Sequence, residues 1–197
     1  MNLRSVFDIL ALLVCSGYGT IPLFWILIHP FADKWRAYGR RAYLFILPIW
    51  GAIIATAFLV LWQFRFSHFY LTWLAWIPAA AFFVLGFSIY AAAFKRFDHI
   101  QVSGLAELEP ERHRQQLMTS GIRARVRHPI YLGHLCEIIG WCLGTGLVAM
   151  FVLAAFAVLT GAVMVRMEDR ELEARFGEAY REYRKRVPGV IPRISSS

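Results

Sequence analysis

The feature that most constrains this 197-residue chain is a series of long apolar runs separated by short basic stretches. Runs at about residues 6–28, 43–64 and 69–94 are each long enough to cross a bilayer as a helix. About 20 residues at about 1.5 Å rise match a hydrocarbon core about 30 Å thick. Two further runs, at about 130–143 and 147–165, flank Gly144-Thr145-Gly146, which predicts a tight helical hairpin. With no water in the hydrocarbon, backbone N–H and C=O groups must pair within each segment, so such runs fold as helices. The composition, 58% hydrophobic and 16% aromatic, is too apolar for a soluble domain and agrees with this reading. The expectation is one all-α membrane domain over residues 1–197. It has five transmembrane helices, the last two a tight hairpin, and a cytoplasmic amphipathic C-terminal helix.

The net charge of +8 could suggest nucleic acid, but its distribution argues against that partner. Of the 21 Lys and Arg residues, only Arg4 and Arg65 lie outside three regions: the turn after the first run, the loop over residues 95–128, and the tail from Arg166 onward. With five spans those regions share one face, which the positive-inside rule makes cytoplasmic and which leaves the N-terminus outside. Membrane lipids are then the expected surroundings, their anionic headgroups a secondary attraction. The first run extends past Trp25 and ends in His29-Pro30, without a small-residue cleavage site, so it reads as a retained span. Cys15, Cys136 and Cys142 all fall in apolar runs with no metal-ligand spacing, as small apolar side chains do.

Chemistry gathers at Arg127-His128-Pro129-Ile130-Tyr131-Leu132-Gly133, the seam between the basic loop and the fourth run. Pro129 suits the first turn of a helix, where its missing N–H would be unpaired anyway. Residues just before such a helix are expected to present free backbone N–H groups and the positive dipole end, a site for a carboxylate. Upstream, Asp98, His99, Glu107, Glu109, Glu111, Arg112, His113 and Arg114 crowd a loop long enough to be functional. Within the fourth run, Tyr131, His134, Glu137 and Trp141 fall on about a third of the circumference at 3.6 residues per turn. Glu137 is a functional candidate because an ionisable group inside a span is costly. Its structural alternative is a carboxyl tied to His134 or an Arg. Beyond the fifth run, Leu172, Phe176, Tyr180, Tyr183 and Val187 form an amphipathic stripe, with a kink expected at Phe176-Gly177. Glu168 and Asp169 stand beside Arg166 at the membrane exit, where acidic groups suit an ammonium or a ribose hydroxyl.

Two motifs carry a resemblance. Arg-His-Pro-x-Tyr-x-Gly at 127–133, followed by a hairpin and then Arg166-x-Glu168-Asp169-x-x-Leu172-x-x-x-Phe176-Gly177-x-x-Tyr180-x-x-Tyr183 and Val187-Pro188-x-x-Ile191-Pro192, resembles the integral-membrane methyltransferases. These include isoprenylcysteine carboxyl methyltransferase and the related phospholipid N-methyltransferases. The resemblance covers about residues 115–194. It implies an S-adenosylmethionine site roofed by the loop and the C-terminal segment, with a lipophilic methyl acceptor entering from the bilayer. Residues 1–94 would then be a three-helix scaffold, and residues 95–197 would hold the cofactor loop, the hairpin and the catalytic segment.

Carried over, His128 and Tyr131 would contact the cofactor and Glu168 would hold its amino or ribose groups. Leu117 and Gly121 belong to a stretch similar to the family's Leu-Val-Thr-x-Gly approach and would frame the adenine. Arg127 and Arg166 would organise the pocket or bind the cofactor carboxylate. Arg123-Ala124-Arg125 stands where the family often has Tyr-Arg-Tyr, and the acidic pair is Glu-Asp rather than Glu-Glu. Methyl transfer from a sulfonium needs alignment and exclusion of water, not a metal. An amine acceptor would give Glu137 or His128 work as a general base, whereas a carboxylate acceptor would not. Glu137-x-x-Gly140-Trp141 is also similar to NADPH-dependent sterol and steroid reductases, although those usually carry Asn where this chain has Ile130. A non-catalytic membrane lipid-binding protein is the remaining alternative.

Overall fold

The computed structural model describes residues 3–95, 105–109, 112 and 116–193. Six helices organise them: α1 Leu3–Ile28, α2 Tyr43–Leu61, α3 Trp76–Phe94, α4 Pro129–Thr145, α5 Val148–Phe176 and α6 Glu178–Arg186. Four helical stretches, Leu3–Arg36, Gly39–Phe64, Trp73–Phe94 and Val148–Phe176, are long and apolar enough to cross a membrane. Leu44, Leu59, Val84, Phe87 and Leu159 point outward from them, as lipid contact requires. The chain is a multi-pass helical membrane protein.

The most extensive helix pairing is α3 against α4, and its cause is visible in the sequence. Gly133, Gly140 and Gly144 of α4 face Tyr90, Phe83 and Trp76 of α3. A Cβ built at Gly133 would lie 2.6 Å from the Tyr90 ring, and one at Gly144 would lie 2.6 Å from the Trp76 indole. Small residues on one helix thus receive large rings from the other, the usual way for helices in lipid to approach closely. In return, Gly86 of α3 leaves room for the Glu137 side chain of α4. Helix α1 crosses the middle of the bundle and touches α2, α4 and α5. The thiols of Cys15 and Cys142 pack in one apolar cluster with Leu12, Leu61, Leu147 and Met150.

The hairpin forms as expected, with Gly146 at φ +65 closing α4. The third run starts later than its hydropathy suggests. Residues 69–72 precede a 3-10 turn at Trp73–Ala75, and α3 begins only at Trp76. The preceding loop is stitched to the hairpin instead, with Phe69 N donating to Gly146 O and Val148 N to Ser67 O, both at 2.9 Å. At the same end, buried Asp8 lies 3.3 Å from His68 Nε2 and 3.8 Å from Arg4 Nε.

The opposite end, here the basic end, holds the seam and the tail. Gly177 at φ +60 splits the C-terminal helix at the expected kink. Helix α6 therefore folds back, and its stripe of Tyr180, Tyr183 and Val187 packs on Leu172, Phe176 and Leu117. The amphipathic face is covered by the protein itself. Of the polar loop, Asp98, His99, Glu111, His113 and Arg114 lie outside the described residues.

Candidate functional site

The basic end is built around a carboxylate pair on α5. Asp169 accepts from Arg127 Nη2 at 2.6 Å, from His128 Nε2 at 2.9 Å and from the Tyr180 hydroxyl. Arg127 also donates through Nη1 to the Val187 carbonyl at 2.6 Å. The backbone continues this clamp, Arg127 N donating to Pro188 O and His128 N to Gly189 O, both at 2.9 Å. The N–H groups of Arg127 and His128 ahead of Pro129 are therefore taken by the returning C-terminal segment. Among the described residues Asp169 is the hub that joins the seam, α5 and α6. The sequence singled out the acidic pair but gave Asp169 no role, because nothing in the local pattern shows that Tyr180 and Arg127 converge on it.

Glu168 turns the other way. Its Oε2 lies 3.3 Å from His128 Nδ1, is buried and makes no well-aligned hydrogen bond. Tyr131 reaches the same carboxylate and stacks on His128 at 5.7 Å between ring centroids. Burial disfavours a charge on His128. The carboxylates of Glu168 and Asp169 outweigh it and hold the imidazolium up to about 9.

These groups wall a cavity of about 450 Å³, inside the range of small-molecule sites. Leu117, Arg127, His128, Tyr131 and Glu168 all line it. Gly121, at φ +66, opens the 3-10 turn Gly121–Ala124 just outside the lining. Lining residues also come from α1 and its exit, where sequence reading expected only scaffold, among them Tyr18, Trp25 and His29. Trp25 stacks on His29 at 5.2 Å, and His29 Nδ1 bonds Glu171 Oε2 at 2.9 Å. Tyr90 and Phe94 of α3 complete the wall. No motif marks these five, since a Tyr or His in an apolar run has the same local signature whether it meets lipid or a cavity.

A second cavity of about 370 Å³ lies between α1, α4 and α5. Pro22, Leu135, Ile138, Ala157, Val158 and Met164 make it almost wholly apolar, and Arg166 lines it beside Val190 and Ile191. The two cavities share Tyr18, Ile21, Tyr131 and His134. Arg166 thus belongs to the apolar cavity and not to the polar one. Glu137 lines neither. It is 3% exposed and faces the Tyr18 hydroxyl, while His134 Nδ1 is hydrogen-bonded by Tyr90 rather than by Glu137.

The site is thus a polar cavity at one end of a multi-pass helical bundle with an apolar cavity beside it, the two sharing four lining residues. The chain belongs to the phospholipid methyltransferase family, which matches residues 74–179. It is 33% identical over 115 residues to methanethiol S-methyltransferase 2 of Bradyrhizobium diazoefficiens, covering 56% of this chain and 44% of that protein. It is 32% identical over 115 residues to protein-S-isoprenylcysteine O-methyltransferase of Schizosaccharomyces pombe, covering 54% and 43%. It is also 40% identical over 98 residues to a Delta(14)-sterol reductase of Mus musculus, covering 47% and 23%. The chain spans less than half the length of each of these relatives. No solved structure matches.

Proposed function

We propose that this protein moves the methyl group of S-adenosylmethionine to a lipophilic acceptor at the membrane–cytosol boundary. The observation that carries the reading is the shared wall of Tyr18, Ile21, Tyr131 and His134 between a polar cavity and an apolar one. In-line transfer needs donor and acceptor to meet with water excluded, and a common wall supplies that meeting place. The donor supplies an electrophilic methyl group on a sulfonium. Glu168, with a buried oxygen short of hydrogen bonds, holds its amino or ribose groups, and His128 and Tyr131 fix that carboxylate. Leu117 and the turn at Gly121 frame the adenine. Arg127 organises the pocket through Asp169, and Arg166 meets the acceptor at the membrane face. Glu137 acts from behind the wall.

In this reading α4 also crosses the membrane, as the fourth of five spans in chain order. Its 17 residues are about 25 Å long at about 1.5 Å per residue, enough for most of the hydrocarbon core when paired along α3. The N-terminus lies outside, and the basic end with α6 is cytoplasmic, as the charge distribution favours.

The testing experiment is calorimetric titration of detergent-purified protein with S-adenosylhomocysteine and, in parallel, NADPH. Micromolar binding of the former, lost in Glu168→Ala and His128→Ala, is expected. The similarity to a Delta(14)-sterol reductase favours one second reading, an NADPH-dependent reductase, and binding of NADPH alone would move the protein there. Binding of neither would leave a lipid-binding protein.

A further inference from the structure

The wall shared by the two cavities holds an imidazole whose proton is placed by a neighbour. His134 lies three residues past Tyr131 on α4, so both side chains leave the same side of the helix, and both line the two cavities. Two phenol rings meet the His134 ring at steep angles, Tyr18 at 5.5 Å and Tyr90 at 5.4 Å between centroids. Tyr90 is itself held, because Gly133 of α4 leaves the space that its ring fills. The Tyr90 hydroxyl is hydrogen-bonded to His134 Nδ1. Among the described residues neither that hydroxyl nor His134 Nε2 makes another hydrogen bond.

The direction of that bond follows from what each group can do. A hydroxyl carries one proton, and a half-buried hydroxyl that fails to donate it leaves a donor unpaired. A neutral imidazole offers one acceptor nitrogen and one donor nitrogen, and the bond made at one fixes the state of the other. When the Tyr90 O–H donates to Nδ1, that nitrogen carries no proton, the ring is neutral, and its single N–H is on Nε2. The reverse, Nδ1–H donating to the phenol oxygen, leaves the Tyr90 proton without a partner among the described residues.

We propose that Tyr90 locks His134 in the tautomer with its proton on Nε2, and that this N–H donates a hydrogen bond to the methyl acceptor where the two cavities meet. This rests on the methyltransferase reading above. His134 touches the acceptor and sets its orientation, and Tyr90 is a positioning residue that acts through His134. The Nε2–H occupies one lone pair of the acceptor group, which turns another toward the methyl carbon of the sulfonium. His134 therefore moves no proton: it is a fixed donor and not a base. An ammonium head has no lone pair with which to receive it.

The experiment uses the full chain in detergent. Ring-nitrogen magnetic resonance of isotope-labelled histidine, assigned at this position with His134→Gln, reads the tautomer without turnover. The parent is expected to show a neutral ring with its proton on Nε2. Tyr90→Phe, which keeps the ring against Gly133 and loses the hydroxyl, should show a mixture of both tautomers. A parent with the proton on Nδ1, or with a charged ring near neutral pH, would overturn the lock. With S-adenosylhomocysteine bound, octanoate or octanethiol should move the His134 Nε2–H signal, and octylamine, an ammonium near neutral pH, should not. A signal that neither octanoate nor octanethiol moves would overturn the contact with the acceptor. In turnover with S-adenosylmethionine, on whichever of octanoate and octanethiol is methylated faster, His134→Gln should keep kcat/KM within threefold, because its amide N–H replaces Nε2–H but cannot act as a base. His134→Asn, whose shorter amide stops at the Nδ1 position, should raise KM tenfold or more with S-adenosylhomocysteine affinity within twofold. Losses in His134→Gln as large as those in His134→Asn would overturn the donor role. Failure of the parent to bind S-adenosylhomocysteine would remove the methyltransferase reading, while the tautomer spectra would still decide the lock.

Discussion

Arg127 and Asp169 meet at 2.6 Å across 42 residues of chain, with 9% and 5% of their side chains exposed. The pair is the knot of the basic end. It fixes the residue before His128 to α5, and through the Val187 carbonyl it fixes the end of α6, whose Tyr180 and Tyr183 line the polar cavity. Four charged or hydroxylic groups converge on one carboxylate here, counting Arg184 Nε at 3.7 Å. Arg127 therefore works as a clamp, with its donors committed before any ligand arrives.

Asp169→Asn should break that knot. Removing one partner of a buried ion pair typically costs about 3–5 kcal/mol because the other charge is left uncompensated. The expected outcome is a lower melting temperature in detergent and faster trypsin cleavage within α6 at Arg181, Arg184 or Lys185. Unchanged cleavage would show that α6 is held by Tyr180, Tyr183 and Val187 alone.

The imidazolium of His128 gives the clamp a pH dependence with a definite sign. Its folded-state pKa is raised from 6.5 to about 9. A raised value stabilises the fold fully below about 6.5, and that contribution is lost as pH rises through about 9. Melting temperature should fall across that window in the parent protein. His128→Asn should flatten the fall, and an equally steep fall in the variant would place the titration elsewhere.

The α3–α4 contact predicts a sharp difference between glycines. Gly133→Ala puts a methyl group 2.6 Å from the Tyr90 ring, whereas the same change at Gly17 meets nothing within 4 Å. Overpacking of this kind typically costs about 1–3 kcal/mol. Thermal unfolding in detergent should show Gly133→Ala clearly destabilised and Gly17→Ala near the parent. Because Tyr90 bonds His134, Gly133→Ala should also disturb the shared cavity wall.

Arg166 and Glu168, two residues apart, should separate the two ligands. Arg166 lines the apolar cavity and Glu168 the polar one. Arg166→Ala is expected to raise the KM for the acceptor with S-adenosylhomocysteine affinity within twofold. Glu168→Gln should weaken S-adenosylhomocysteine tenfold or more. Reversed effects would exchange the roles of the cavities.

What the sequence by itself determined was whatever local physics dictates. Apolar runs in lipid have to be helices, Pro129 opens one, and Gly146 and Gly177 end or split others because each takes a positive φ. The two motif regions at 127–133 and 166–192 were likewise readable, and they do meet around one cavity. What only the tertiary structure decided was the partner of each buried polar group. Nothing local distinguishes Asp169 as hub from Glu168 as cavity wall, for they differ by one step of about 100° around α5. Nor does the first apolar run announce that Tyr18, Trp25 and His29 reach the site. A side chain inside a span has one hydropathy, but whether it faces lipid, another helix or a cavity depends on how the helices rotate against one another. Contacts such as those of Gly133 with Tyr90 and Gly86 with Glu137 set that rotation.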